Sequence, residues 1–269
     1  MRIFIITMDD PVQTHRFIKH IVQSQKHNIV GMAVSKGDRL TIGKKNSKIL
    51  YVISLFLIMG PIHFLKNSTI TMLFKVRKLL SSIKLLRNPS ILCYAQQNSI
   101  PSYSIFSPNN KEFIQVLKEL NIDIIINQSQ SIIKKELLET PRIGVINRHN
   151  ALLPKNRGRL TPFWVLFKGE PETGVSIHFV NEGIDSGDII IQEKYTVAKH
   201  DTFNSLVKKN YEIAPKAMIA AIEKLERGDY SYIPNSDELA TYNTIPTLKE
   251  AWLYRKRLML RRLGITINT

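Results

Sequence analysis

The chain opens with a strand, a helix and a second strand, and this order limits the folds open to it. Arg2–Thr7 and Asn28–Val34 are apolar segments typical of buried strands, and Val12–Lys26 between them has the spacing of an amphipathic helix. Asp123–Asn127 is a continuous apolar run, typical of a central strand of a parallel sheet. The sequence therefore predicts an α/β fold, a Rossmann-like, doubly wound and mostly parallel sheet.

The same alternation continues towards the C-terminus. The predicted helices are Glu112–Leu120, Ser131–Glu139, Pro162–Lys168 and Thr202–Arg227, and the predicted strands are Ile143–Asn147, Gly174–Val180 and Asp188–Val197. Thr161 is predicted to cap the helix that begins at Pro162. We expect a catalytic domain over residues 1–210 and a helical C-terminal extension over residues 211–269, whose last helix, Ile245–Leu263, is a candidate homodimer element.

Residues 46–88 form a predicted helical insertion. Ile49–Met59 carries one serine and no charge, and it is too short to span a bilayer, which needs about 20 apolar residues. Ile62–Arg87 mixes lysine and arginine with large apolar side chains. Two interpretations stay open: a helical insertion packed on the protein's own core, or a basic amphipathic helix on an anionic membrane surface.

The charge of the chain is strongly basic and unevenly distributed. There are 38 basic and 22 acidic residues, a net charge of +16, and no acidic residue occurs from Arg39 to Lys111. An anionic partner, such as nucleic acid, an anionic membrane face or a phosphorylated substrate, would explain this distribution. A lysine-rich, solvated surface is the alternative. Cys93 is the one cysteine, which favours a cytoplasmic protein, with the inner membrane face as a further possibility.

Three polar residues near the ends of predicted strands suggest acyl-transfer chemistry. Asn147 and His149 are two residues apart, so in a strand their side chains point to the same face. Ligands bind beyond the carboxyl ends of strands in open α/β sheets, which is where this pair lies. Asp185 follows in a turn bounded by Gly183 and Gly187. An amide donor, an imidazole and a carboxylate supply what acyl transfer needs: an oxyanion donor, a proton carrier and a group that orients the carrier.

Four segments in order resemble the 10-formyltetrahydrofolate-dependent formyltransferases. They are residues 143–158 (IGVINRHNALLPKNRG), 162–179 (PFWVLFKGEPETGVSIHF), 183–190 (GIDSGDII) and 201–206 (DTFNSL). The resemblance implies that 10-formyltetrahydrofolate is the formyl donor and that the catalytic residues are Asn147, His149 and Asp185. No histidine has metal-like spacing to cysteine or carboxylates, so we expect no metal.

The resemblance also implies binding residues. The predicted cofactor contacts are Gln130, Ser131, Ile132, Gly183, Ile184 and Gly187, although Gln130 and Lys134 stand near positions where relatives usually carry glycine and proline. The predicted substrate contacts are Pro154, Arg157 and Gly158. Arg157 is also open to a second interpretation, in which it holds its own loop. His178, in the middle of a predicted strand, is interpreted as structural.

Within this family, the sequence favours a nucleotide-linked deoxyamino sugar as the amine substrate, for surface polysaccharide synthesis. Methionyl-tRNA is the alternative, and the net charge would suit it, but the residues after Asn210 lack the alternating strands of that enzyme's C-terminal domain. Nucleic acid is therefore expected to be an unlikely partner. A non-catalytic basic binding protein on the same fold is a third, weaker interpretation.

Overall fold

The computed structural model describes residues 1–24, 28–37 and 45–262. In this part of the chain the strands are β1 (Arg2–Thr7), β2 (Asn28–Ser35), β3 (Ser102–Ile105), β4 (Ile124–Asn127), β5 (Gly144–His149), β6 (Arg157–Gly158), β7 (Glu172–Phe179), β8 (Ile189–Thr196) and β9 (Tyr242–Asn243). The helices are α1 (Thr14–Gln23), α2 (Lys45–Met59), α3 (Pro61–Ser82), α4 (Ile91–Gln97), α5 (Lys111–Glu119), α6 (Lys135–Leu138), α7 (Thr161–Lys168), α8 (Phe203–Glu226) and α9 (Leu248–Arg262).

The main sheet has seven strands in the order β3-β2-β1-β4-β5-β7-β8. The first five strands in this order are parallel, whereas β7 runs antiparallel to both β5 and β8. A second, two-stranded sheet joins β6 to β9. The predicted doubly wound, mostly parallel α/β fold is therefore confirmed.

The central strands are continuous apolar runs because both of their faces are covered. Ile3 and Ile5 of β1 pack in one core cluster with α1 and α8. Phe4 and Ile6 point to the opposite face and pack in a second cluster with α5. Alternate residues of a strand face opposite sides, so a strand between two helical layers needs apolar side chains at every position.

Several predicted boundaries require correction. Thr161 is the first residue of α7 and not its cap, because Leu160 precedes it with a φ of 51° and the Thr161 hydroxyl donates to the Asn150 carbonyl. The helix predicted at Ser131–Glu139 is shortened to α6. The helix predicted at Val12–Lys26 is shortened to α1, and Lys26 lies outside the described residues.

The insertion forms two helices, α2 and α3, which we call the helical hairpin (residues 45–82). Gly60 joins them with a φ of 80°, a backbone conformation that glycine adopts without strain. Ile58 of α2 is buried against α7 and α9, whereas α3 has no buried residue. The single helix predicted at Ile62–Arg87 ends earlier, at Ser82. In the part of the chain that the structure describes, no helix is long and apolar enough to cross a membrane.

The C-terminal segment folds back on the sheet. The Thr202 side chain and Ser205 form a reciprocal capping box that begins α8, and α8 continues through residue 210, where the sequence suggests a boundary. In α9, Ala251, Tyr254 and Leu258 are buried against α2 and α7. The apolar face of the terminal helix is thus used within the protomer, while its role in a homodimer stays a prediction.

Asp9, directly after β1, connects three helices. Its carboxylate accepts hydrogen bonds from His15 of α1 at 2.9 Å, from Lys78 of α3 at 2.5 Å and from the backbone N–H of Ile91 at 3.0 Å. Burial alone would raise the pKa of Asp9, but these three donors hold that pKa well below its usual range. The charged form of Asp9 therefore fastens the helical hairpin to the sheet.

Replacing Asp9 with asparagine is expected to lower the free energy of unfolding by about 2 kcal/mol at neutral pH, because hydrogen bonds to a charged acceptor are lost. The depressed pKa fixes the sign of the pH effect: the contribution is full above the usual carboxyl range and is lost as the pH falls from that range through the lower pKa of the folded state. Urea unfolding at pH 7 and at acidic pH measures the loss of stability and its dependence on pH. Asp10→Asn is the matched control: asparagine keeps an oxygen for the Val12 N–H and loses only the longer bonds from Thr14, at 3.3 and 3.4 Å, so stability should change by less than about 0.5 kcal/mol. Equal losses in the two variants would contradict the role of Asp9.

Candidate active site

The candidate site lies where β4, β5 and β7 meet at the carboxyl edge of the parallel sheet. Asn127 and Asn147 are paired at the ends of β4 and β5. The antiparallel β7 then places His178 opposite Asn147 and Ser176 opposite His149. The chain reverses after β7, and this turn returns Asp185 to the same edge. Three strands thus bring together residues that are distant in the sequence.

Asp185 stands between two histidines. Its Oδ2 lies 3.4 Å from His149 Nδ1 and accepts a hydrogen bond from the Gly158 N–H at 2.9 Å, while Oδ1 lies 3.6 Å from His178 Nε2. Burial would raise the pKa of Asp185, but His149, His178, the Gly158 N–H and the more distant Arg157 together hold that pKa below its usual range. Asp185 is therefore a stable carboxylate at neutral pH.

The hydrogen bonds of His149 assign roles to its two ring nitrogens. Nε2 lies 2.8 Å from the carbonyl oxygen of Asn156, and because a carbonyl only accepts, Nε2 carries the proton. Nδ1 is left facing the Asp185 carboxylate. Nδ1 is consequently the nitrogen of His149 that can gain and lose a proton beside a negative charge.

Gln128 fixes the orientation of the Asn147 amide. The Gln128 Nε2 group donates to Asn147 Oδ1 at 2.8 Å and also to the Asn127 carbonyl at 2.8 Å. Since the oxygen of the Asn147 amide is occupied, its N–H₂ group is the end left to face the cavity. An amide N–H in that position can donate to an oxygen that develops negative charge.

Arg148 in turn holds Gln128. Its Nε donates to Gln128 Oε1 at 3.0 Å, and its terminal nitrogen donates to the Tyr211 hydroxyl at 2.9 Å. The guanidinium also lies over the rings of Phe17 and Tyr211, at 4.9 and 4.2 Å from their centroids. A cation held by two rings and two hydrogen bonds is rigid, so it gives Gln128 a single orientation.

His178 is fully buried beside Asp185. Burial lowers its pKa to about 4; Asp185 opposes that shift, and His149 and Arg157 add to it. Its Nδ1 donates to the Phe179 carbonyl at 2.7 Å, and its Nε2, which faces Asp185, has no hydrogen-bond partner among the described residues. His178 Nε2 thus lies beside the Asp185 carboxylate at the candidate site, whereas the sequence suggested a structural role.

Two cavities meet at these residues. The first has a volume of about 800 Å³ and lies between the loop of residues 129–133 and the turn of residues 181–185; we call it the turn cavity. The second, of about 850 Å³, lies between the helical hairpin and the start of α1; we call it the hairpin cavity. The residues that line both are Tyr51, Ser129, Gln130, Asn147, Gly158, Leu160 and Asp185. Asn147 and Asp185 therefore stand at the junction of the two cavities, and His149 lines the hairpin cavity.

The predicted cofactor residues cluster at the turn cavity, with one exception. Gln130, Ser131, Ile132, Gly183 and Ile184 line it. Gly187 instead closes the turn behind it, where a Cβ would lie 2.1 Å from the Phe179 carbonyl oxygen. The Ser131 hydroxyl is buried, and no described residue is its hydrogen-bond partner.

The three predicted substrate residues lie in three different surroundings. Gly158 lines both cavities, whereas Pro154 is not among the residues that line either one. Arg157 is 0% exposed and is bound entirely by the C-terminal segment. Its guanidinium donates to Asp237 at 2.5 Å, to the Tyr242 hydroxyl at 2.7 Å and to Asn235 at 2.8 and 2.9 Å. Of its two predicted roles, the geometry matches the one in which it holds its loop.

The residues that the structure describes contain no group of three or more histidine, cysteine, aspartate or glutamate side chains able to hold a metal ion. A family model described as formyl transferase matches residues 78–222, more than half of the chain. The chain belongs to the formyl transferase family. The resemblance found in residues 143–206 is thereby confirmed.

Curated relatives are about one-third identical to this formyl transferase chain over the aligned residues. The methionyl-tRNA formyltransferase of Kosmotoga olearia is 36% identical over 149 residues, which cover 55% of this chain and 48% of the relative. That of Thermodesulfovibrio yellowstonii is 34% identical over 168 residues, covering 62% and 54%. The chain spans about half the length of the curated relatives it matches.

Solved structures of other formyltransferases share the fold. A sugar 3N-formyl transferase, solved in the presence of dTDP and 5-N-formyl-THF, has a TM-score of 0.57 at 15% identity, covering 100% of this chain and 83% of that one. A sugar N-formyltransferase from a Shewanella species has a TM-score of 0.55 at 16% identity, covering 95% and 87%. A phosphoribosylglycinamide formyltransferase from Anaplasma phagocytophilum has a TM-score of 0.57 at 14% identity, covering 91% and 99%.

Proposed function

We propose that this formyl transferase moves a formyl group from 10-formyltetrahydrofolate to the primary amine of a nucleotide-linked amino sugar. The observation that carries the proposal is the meeting of two cavities at Asn147 and Asp185. A transfer between two bound molecules needs a space for each and a shared point where donor and acceptor touch.

The groups at this junction can carry each step of the transfer. The amine lone pair attacks the formyl carbon, and the formyl oxygen becomes an oxyanion to which the Asn147 N–H₂ group donates. The amine proton leaves through Nδ1 of His149, whose positive charge the adjacent Asp185 carboxylate stabilises. The bond from the formyl carbon to N10 of the folate then breaks, and N10 receives the proton. The products are the N-formyl compound and tetrahydrofolate.

The turn cavity is the proposed site of the folate. Its walls are two backbone turns, and the buried Ser131 hydroxyl, which has no partner among the described residues, can bind a flat, polar ring system. The hairpin cavity then takes the acceptor. Its volume falls in the range of small-molecule sites, which supports a compact acceptor.

The lining of the hairpin cavity fits a polar and anionic acceptor. Asn67, Ser68 and Thr71 of α3 supply hydrogen-bonding groups, and Lys75 and Arg148 supply positive charge. Arg148 Nη1 is buried, and no described group is its hydrogen-bond partner, so a phosphate oxygen could accept from it. These features support an amino sugar that carries phosphate.

Methionyl-tRNA is the second candidate acceptor. The curated relatives with about a third identity are methionyl-tRNA formyltransferases, and the net charge of +16 would favour a polyanion. Both candidates use the same donor and the same junction, so they differ only in what occupies the hairpin cavity and its surroundings.

A formyl-transfer assay read by mass spectrometry distinguishes the two acceptors. Protein and 10-formyltetrahydrofolate are incubated with a panel of nucleotide-linked amino sugars and, separately, with methionyl-tRNA. We expect one formyl mass on a sugar, absent with the His149→Ala variant. Formylation of the tRNA alone would contradict the sugar proposal, and formylation of neither would contradict both.

Gln128 is expected to act as a positioning residue in this reaction. Gln128→Leu should lower kcat about tenfold with a smaller effect on KM, because the Asn147 amide is then free to rotate its N–H₂ group away from the oxyanion. Steady-state kinetics for both substrates measure the division between kcat and KM.

The Gln128→Glu variant tests whether Gln128 orients the Asn147 amide or only holds Arg148. Glutamate keeps an oxygen for Arg148 but cannot donate to Asn147 Oδ1. If orientation matters, the glutamate variant loses kcat as the leucine variant does. A wild-type kcat in Gln128→Glu would mean that Gln128 serves only to hold Arg148.

A further inference from the structure

We propose that the helical hairpin docks on an anionic membrane surface through its exposed apolar side. This surface, which we call the hairpin face, consists of Ile49, Leu50, Val52, Ile53 and Phe56 of α2 and Ile62, Leu65, Met72, Leu73, Val76 and Leu79 of α3. Large exposed apolar surfaces mark interaction sites, because single soluble proteins rarely leave them uncovered. The docking goes beyond the proposed reaction and does not depend on it.

The exposed residues of α3 form one stripe. Ile62, Leu65, Met72, Val76 and Leu79 follow one another at intervals of three, four or seven residues, which places them on the same side of a helix. Leu65 is 62% exposed and Leu79 is 69% exposed. The α2 residues at 49, 52, 53 and 56 have the same spacing, so each helix presents an apolar side to solvent.

The opposite side of α3 faces the protein, and it mixes polar residues with the rings of Phe64 and Phe74. Asn67, Thr71 and Lys75 line the hairpin cavity, and Lys78 binds Asp9. A surface helix of a globular protein normally turns its apolar stripe inward and its polar residues outward. In α3 no residue is buried and the outer apolar stripe is left exposed, so only an external partner can cover it.

Basic residues lie along one edge of the stripe. Lys66 follows Ile62 by one turn and Arg77 follows Leu73 by one turn, which places both cations on the same edge. The sequence around them has no carboxylate from residue 39 to residue 111. Cations beside an apolar stripe are the arrangement of helices that lie in the plane of an anionic lipid surface, with aliphatic side chains among the acyl chains and ammonium groups at the phosphates.

The same charges argue against other occupants. A second copy using this face would bring cations against cations across a two-fold axis, with no carboxylate from the same segment to pair with them. Nucleic acid would satisfy the cations, but its bases stack on aromatic rings, and the hairpin face is almost entirely aliphatic. An anionic lipid surface satisfies both the apolar stripe and the cations.

Flotation with vesicles tests the docking. The full chain is mixed with vesicles of phosphatidylcholine alone, or of equal parts phosphatidylcholine and phosphatidylglycerol, at low and high salt. We expect flotation with the mixed vesicles at low salt and less with phosphatidylcholine alone or at high salt, because salt screens the charges. The triple variant Leu65→Ser, Leu73→Ser, Leu79→Ser should reduce vesicle affinity about tenfold or more.

Phe106→Ser is the matched control, because Phe106 is an exposed apolar residue, 76% exposed, on the loop after β3. Its flotation should equal that of the wild type. The triple variant should keep its thermal stability and its formyl transfer to a soluble acceptor, since the three leucines are exposed and line neither cavity. Failure of docking and failure of the proposed reaction are therefore separate results.

Two results would overturn the proposal. One is wild-type protein that stays in the vesicle-free fraction at low salt, or a triple variant that floats as the wild type does. The other is a concentration-dependent dimer in sedimentation velocity that the triple variant abolishes, which would assign the hairpin face to a second copy of the chain.

Discussion

Replacing Asp185 with asparagine should lower kcat for formyl transfer by about 10²–10⁴-fold while the protein stays folded. Asparagine keeps an oxygen that can accept from the Gly158 N–H. It cannot carry the negative charge that stabilises a protonated His149 at 3.4 Å. The loss should therefore appear in kcat and in the pH profile, and thermal unfolding should change little.

The pH profile of the wild type carries a further expectation with a defined sign. Because the pKa of Asp185 is held below its usual range, its charge and its contribution to activity should persist into mildly acidic solution. Asp188→Asn, in the same turn but exposed, is the matched control and should keep near-wild-type activity. If Asp185→Asn retained a third or more of the wild-type kcat, the amine proton would have to leave by another route.

Replacing Gly158 with alanine is expected to destabilise the protein by about 3 kcal/mol or more. Gly158 has a φ of 99°, which L residues rarely adopt, and an added Cβ would lie 2.1 Å from the carbonyl oxygen of Asn243. That carbonyl group belongs to β9, which pairs with β6. The same carbonyl oxygen also accepts a hydrogen bond from the Arg159 N–H. The added methyl group must therefore push β6 and β9 apart or move the Gly158 N–H away from Asp185.

The Gly169→Ala variant separates the effect of backbone strain from the effect of the steric clash with Asn243. Gly169 also has a positive φ, 70°, but no atom lies within 4 Å of an added Cβ. Its replacement should cost only the backbone strain, about 1 kcal/mol. Urea unfolding compares the two variants, and formyl-transfer kinetics should show a large loss for Gly158→Ala alone. Equal destabilisation in both variants would mean that β6 and β9 can move apart without a loss in the free energy of unfolding.

Local patterns were sufficient to predict the sheet and the chemical groups of the site. Continuous apolar runs such as Asp123–Asn127 indicated strands buried on both faces, and the intervening amphipathic spacing indicated helices between them. The positions of Asn147 and His149 on one side of a strand follow from the period of two alone. Because these features depend on residues close in sequence, they can be predicted without knowledge of the tertiary contacts.

Residues that act through distant partners were harder to predict. His178 was interpreted as structural because a lone histidine in a strand gives no sign of what lies opposite it. Its register with Asn147 on an antiparallel neighbour would have been the signal. Gln128 and Arg148 were missed for the same reason, since the hydrogen bond between them joins the residue after β4 to β5.

Arg157 illustrates a motif residue whose role the surrounding structure decides. Beside Gly158 in a loop near the site, it was a reasonable candidate for contact with an anionic substrate. Asn235 and Tyr242, some eighty residues later, bury its guanidinium completely. No local pattern predicts which cation a distant segment will bind.

The sequence by itself determined the parallel sheet and the common side of Asn147 and His149, because these depend on local periodicity, and the resemblance of residues 143–206 to a known family identified the three candidate catalytic residues. Only the tertiary structure decided which end of the Asn147 amide faces the cavity, which nitrogen of His149 is free and which side of α3 points outward. An amphipathic helix has two sides, and an amide or an imidazole has two ends. The choice between them is made by contacts with residues far away in the chain, which periodicity cannot encode.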